Sequence, residues 1–145
     1  MIASSDIILS SGRVFNVPEK ADNMRAIDTK AVDIAILDND VVLVEAKYGV
    51  EINSVNSMIA NDLIASEISG NYGLILNRKK DYSIVPVDVY EVLNSMERLK
   101  AIAVVLYNET SKLGIVTEQH LFKGALAIFD NVEDARVWLK VTVVQ

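Results

Sequence analysis

The stretch Ala31-Val32-Asp33-Ile34-Ala35-Ile36-Leu37-Asp38-Asn39-Asp40-Val41-Val42-Leu43-Val44-Glu45-Ala46 decides the fold. Two runs rich in β-branched residues flank a short polar turn, which predicts an antiparallel hairpin. Asn and Asp tolerate the positive φ that such turns can demand. The same Asp38-Asn39-Asp40 would open a calcium loop only with an acid or amide at 42, a glycine at 43 and a glutamate at 49. Val42, Leu43 and Gly49 stand there, so the motif reads as a turn.

Downstream the hydrophobic period changes from two to between three and four. Val55, Met58, Ile59, Leu63, Ile64 and Ile68 predict a helix over 53–69 with those residues inward. Asn56, Asn61, Asp62, Ser66 and Glu67 are then expected outward, with Ser54 as the cap and Gly70 as a left-handed stop. A strand over 72–77 follows, then a polar loop over 78–85 and a helix opened by Pro86. Ala101–Tyr107 is the most continuous apolar strand. Beyond it come a helix capped by Thr110 or Ser111, a short strand over 125–129, and a closing helix capped by Asn131. Upstream, 6–9 and 13–17 read as a second hairpin around Ser10-Ser11-Gly12, and Pro18–Thr29 reads as a polar loop. From Ala31 the order is β-β-α-β-α-β-α-β-α. Strands alternating with helices predict an α/β fold whose central sheet is mixed but mostly parallel, with right-handed crossovers.

The 145 residues suit one domain, 1–145, with its core over about 31–139 and residues 1–30 as an N-terminal extension or extra hairpin. Hydrophobic residues make up 51%, enough for a packed core. No apolar run approaches the ~18 residues of a spanning helix, and Met1–Gly12 lacks the positive charge that opens a secretory signal. Without cysteine there is neither disulfide framework nor thiolate chemistry, and a cytoplasmic location is expected. A net charge of −6, spread evenly, argues against nucleic-acid binding.

Reactive constellations are scarce. His120 is the sole imidazole, so a histidine metal cluster is impossible and any Ser-His-Asp arrangement would have to use it. Gly70-Asn71-Tyr72-Gly73 precedes a strand instead of opening a helix, so no phosphate-cradling loop, and with it no cofactor, is predicted. The acids show no spacing that marks an acid–base pair. A small hydrolytic enzyme would have to rely on His120 or on those acids, and the expectation is that the chain is not an enzyme.

One loop invites a ligand. Asn77-Arg78-Lys79-Lys80-Asp81-Tyr82-Ser83 leaves the carboxyl end of a predicted parallel strand, where ligands gather in open α/β sheets. Its three cations precede two hydrogen-bonding side chains and then the Pro86 helix, whose N-terminus favours an anion. Asn77, Arg78, Lys79, Tyr82 and Ser83 are therefore the candidate binding residues.

Phe129-Asp130-Asn131-Val132-Glu133-Asp134-Ala135-Arg136-Val137-Trp138-Leu139, taken with the opening hairpin and alternating order, resembles the STAS superfamily in its SpoIIAA-like branch. Asn77–Pro86 is similar to an Asn-Arg…Tyr-Ser…Pro loop of bacterial members, and the likeness runs from about Ala31 to Leu139. The resemblance implies a non-catalytic regulatory or binding module. It also implies Ser83, with Asp81 before it, as a phosphorylation position, although Tyr82 interrupts the motif and no glycine follows. Arg78, Lys79 and Lys80 would stabilise the added charge. Similarity of that branch to lipid carriers implies an alternative, an apolar ligand held beneath Val55, Ile59, Tyr90 and Leu93. The expected partner is thus a protein, or a small anionic or apolar ligand near the loop. Residues 1–30 could also join a second copy into a homodimer.

Overall fold

The 31–46 hairpin supplies two adjacent inner strands of a six-stranded sheet in the computed structural model, which describes residues 4–8, 14–18, 24–79 and 82–144. In the first two segments only the side chains of Asp6, Val14 and Phe15 are described. The chain opens with β1 (Ser4–Ile8) and β2 (Val14–Pro18), an antiparallel pair, followed by β3 (Arg25–Asp28). The central hairpin is β4 (Val32–Asp38) and β5 (Val41–Ala46). Then come β6 (Glu51–Ile52), α1 (Ser54–Glu67), β7 (Tyr72–Arg78), β8 (Ser83–Ile84) and α2 (Pro86–Ser95). The chain continues through β9 (Leu99–Leu106), α3 (Glu109–Leu121), β10 (Ala125–Phe129) and α4 (Val132–Thr142).

The main sheet runs β10-β9-β7-β5-β4-β3. β5, β7, β9 and β10 are parallel, and β4 is antiparallel to both its neighbours. The mixed, mostly parallel α/β architecture is therefore as the alternation of periods predicts. β6 and β8 form a separate parallel pair of two residues each, just ahead of α1 and α2. The Ser10–Gly12 turn, Lys80 and Asp81 lie outside the described residues.

Alternation along the strands divides the core. Ile34, Ile36, Val42, Leu74, Ile102 and Val104 face α1, α2 and α3, while Ala35, Leu37, Leu43, Ile75, Ala103 and Val105 face α4 and Phe15. On the α4 side the fit is close. A Cβ on Gly73 would lie 2.6 Å from Leu139 Cδ2, so only glycine admits the helix at this separation. Arg136 Nε donates to Asp38 at 3.1 Å and Lys140 Nζ to Asp40 at 3.0 Å, so the polar turn of the hairpin holds α4 from outside.

Four local expectations are corrected. Pro18–Thr29 is not all loop, because Arg25–Asp28 pairs with Ile36–Asp33 as the edge strand β3. Asn53, not Ser54, caps α1, accepting from the amides of Val55 and Asn56 while Asn56 Oδ1 accepts from the Asn53 amide. Asn108, not Thr110 or Ser111, caps α3 by accepting from the Ser111 amide. Gly70 takes no left-handed conformation, and among the described residues only Gly49 has positive φ, at 76°. α1 ends instead on Arg98, whose guanidinium donates to the carbonyls of Ala65, Ile68 and Gly70. Asn131 does cap α4, accepting from the Asp134 amide.

Among the described residues no helix is long and apolar enough to cross a membrane.

Candidate functional site

The largest departure from the sequence reading is the roll of α1 about its axis. Ser57, Ala60, Asn61 and Ile64 face the sheet and are buried. Val55, Met58, Ile59 and Leu63, expected inward, are 68%, 49%, 53% and 38% exposed. Both stripes repeat at helical spacing, and the one with more aliphatic volume is outside. Ala60 and Ile64 suffice to seat the helix on Ile34, Ile36 and Leu74, leaving Ser57 and Asn61 over the space that remains.

That space is a partly open cavity of about 70 Å³ between α1, α2 and the sheet. Val44, Leu74, Leu76, Ile84 and Leu93 give it apolar walls, Asn56, Ser57, Asn61, Arg78 and Tyr82 add polar groups, and Asn77 borders it at the end of β7. Asn61 is 4% exposed, and its Nδ2 donates to the Ser57 carbonyl at 2.8 Å. Its Oδ1 is buried with no hydrogen-bond partner among the described residues, and the same holds for Arg78 Nε. A buried polar atom left without a partner costs on the order of 1–3 kcal/mol, so native interiors rarely keep one.

The remaining nitrogens of Arg78 are committed. Nη1 donates to Glu118 Oε2 at 2.6 Å, Nη2 donates to Glu118 Oε1, and the Tyr90 hydroxyl donates to Oε1 at 2.8 Å. Burial alone would push the Arg78 guanidinium down, but the bonds and charge of Glu118 outweigh it and hold the group above its ordinary value. Burial, then the Glu118 charge, pushes the Tyr90 phenol up. Burial likewise raises Tyr82, against the pull of Arg78. The charge of Arg78 is thus neutralised inside the protein.

On the opposite face, Asn77 Nδ2 donates to Glu45 at 3.3 Å and the Tyr107 hydroxyl donates to Asn77 Oδ1 at 2.6 Å. Glu45 pairs in register with Asp33 on β4, and both carboxylates are buried. Burial, then the nearby Glu45 charge, raises the Tyr107 phenol.

The loop residues therefore separate. Arg78 and Tyr82 line the cavity and Asn77 borders it, whereas Lys79 and Ser83 are exposed. Ser83 lies in β8, where its amide donates to the Val50 carbonyl at 2.9 Å, three residues ahead of α2. Arg78, expected to stabilise a phosphate on Ser83, is held in the interior by Glu118, while Ser83 itself is exposed. The apolar ligand site beneath Val55 and Ile59 is corrected too, since those residues face solvent; of that set only Leu93 reaches the cavity. His120 is exposed in the last turn of α3. Sequence reasoning missed Asn61, Ser57 and Glu118. The first two share an i, i+3, i+4, i+7 stripe with Ala60 and Ile64, but the sequence does not rank that stripe above the more aliphatic one.

No family model and no curated protein matches the sequence. In structure the chain is similar to an uncharacterised protein of the DUF3478 family from Shewanella loihica PV-4, described as having a SpoIIAA-like fold. The two align with a TM-score of 0.50 at 11% identity, over 80% of this chain and 91% of that one. The fold is SpoIIAA-like, as the resemblance implies.

Proposed function

We propose that this chain is a non-catalytic binding module that holds the hydrogen-bonding end of a small, largely apolar molecule in the cavity between α1, α2 and the sheet. The observation that carries the reading is that Asn61, whose buried Oδ1 has no donor among the described residues, lines the cavity. Arg78, whose buried Nε likewise has no hydrogen-bond partner among the described residues, lines the same space. The complementary group must donate to one and accept from the other. A hydroxyl or carboxamide does both, while a carboxylate can only accept. Because Glu118 balances Arg78, a neutral head suits the site better than an anion.

Size limits the occupant. An engineered cavity of ~150 Å³ holds benzene, so about 70 Å³ takes roughly three or four heavy atoms. At the ceiling of ~1.5 kcal/mol per atom this gives about −6 kcal/mol, a Kd in the tens of micromolar at best. A whole acyl chain does not fit, so the lipid carrier is the weaker reading.

Ligand-observed NMR on the full chain with acetamide, 1-propanol and acetate, each of four heavy atoms, tests this. Saturation transfer to the amide and the alcohol is expected, with little to the carboxylate, and Asn61→Leu should weaken it at least tenfold while the protein stays folded. Equal transfer to the wild type and the Asn61→Leu variant would refute the assignment.

A further inference from the structure

We infer that the outer face of α1 and the groove between α1 and α2 dock a cationic amphipathic helix of a protein partner. This goes beyond the ligand reading and rests on a different set of side chains. Val55, Met58, Ile59 and Leu63 form an i, i+3, i+4, i+8 stripe turned to solvent, where burial in the chain's own core does not explain it. Beside it, Ser54 and Met58 of α1 and Asp88, Glu91, Val92 and Ser95 of α2 line an open groove of about 380 Å³.

Charge selects the occupant. Across Ser54–Glu67 and Pro86–Ser95 there is no lysine or arginine; Asp62, Asp88 and Glu91 are exposed, while Glu67 is paired with Arg25 of β3 at 3.3 Å. A second copy applied through this face would set Asp62, Asp88 and Glu91 against their counterparts, with no lysine or arginine on either helix to answer them. An anionic lipid surface meets the same repulsion. A helix with aliphatic residues on one side and lysine or arginine on the other meets the stripe with the first and the rim with the second. The 14 residues of α1 extend about 21 Å at 1.5 Å per residue, which matches a partner helix of similar length.

The test uses the full chain and a fluorescein-labelled 14-residue peptide with leucines on one helical face and lysines on the other. Fluorescence anisotropy should give saturable one-to-one binding. The Met58→Gln/Ile59→Gln double variant should weaken it at least tenfold, and so should Asp88→Asn/Glu91→Gln. These side chains are exposed, so circular dichroism and the thermal midpoint should stay near the wild type. Val141→Gln, on the equally exposed outer side of α4, should leave binding unchanged. Four results would each overturn the inference: no binding, equal binding by the Met58/Ile59 variant, equal binding of a peptide with glutamates in place of the lysines, or a dimer in sedimentation that the Met58/Ile59 variant dissolves. Capture by phosphatidylcholine vesicles that the same variant abolishes would assign the face to lipid and also overturn it.

Discussion

α1 and α4 lie on opposite faces of one sheet and solve the same packing problem in opposite ways. α4 buries Ala135 and Leu139, fits Leu139 against Gly73, and is held outside by Arg136–Asp38 and Lys140–Asp40. α1 buries two polar residues over a cavity and turns most of its aliphatic volume to solvent. One face is built to last. The other keeps unfilled space and unsatisfied atoms, features that cost stability and are retained where something else occupies them.

The contrast breaks most sharply at ion pairs. Glu118→Ala leaves a buried Arg78 without its partner and should cost about 3–5 kcal/mol in urea denaturation, whereas Lys140→Ala, which removes a half-exposed lysine from Asp40 on the α4 side, should cost about 1 kcal/mol. Similar losses from the two would show that the α1–α3 side is not specially dependent on internal charge. Next in size are the helix contacts. Gly73→Ala drives a methyl onto Leu139 and towards the Ala101 carbonyl, and should cost about 1–3 kcal/mol. Asn61→Leu, which removes an unpaired acceptor beside free volume, should be neutral or stabilising. An Asn61→Leu loss as large as that of Gly73→Ala would mean that the cavity wall is as tightly specified as the α4 contact.

The smallest effect at neutral pH is hidden in the phenols. Tyr72, Tyr82, Tyr90 and Tyr107 are all raised from the ordinary value of 10.0, chiefly by burial. Above pH 10 the unfolded chain gives up these protons while the folded one retains them, so stability is intact below that pH and falls as pH rises past it. Two of the four, Tyr82 and Tyr90, cluster around Arg78 and Glu118. Tyr90→Phe should therefore flatten the alkaline decline in the thermal midpoint, and an unchanged decline would remove Tyr90 from that coupling.

The fold was legible where one period dominates. Ala31–Ala46 alternates, Ala101–Leu106 is continuously apolar, and Asn131 with Glu133 and Asp134 marks a helix start. β3 was not legible, because an edge strand with one partner needs little more than Ile27 packed inward. The face of α1 was misread because a helix with two apolar stripes gives no sign of which one the sheet will take. For the candidate site, the rule that ligands gather at strand ends led to Asn77, Arg78 and Tyr82. Glu118 is 40 residues from Arg78 and the α1 terminus is satisfied by Arg98 from 28–33 residues away, so neither has a local signature.

The pairing of β6 with β8 ties the lead-in of one helix to that of the other. The Ser83 amide donates to Val50 and the Val85 amide to Ile52, each at 2.9 Å. Prising the two lead-ins apart forfeits both bonds, at about 1–3 kcal/mol. A guest too bulky for the resting space must meet that charge from its own contacts, which handicaps it roughly five- to 150-fold against a slimmer rival. In the proposed binding function, those two hydrogen bonds would act as a size filter.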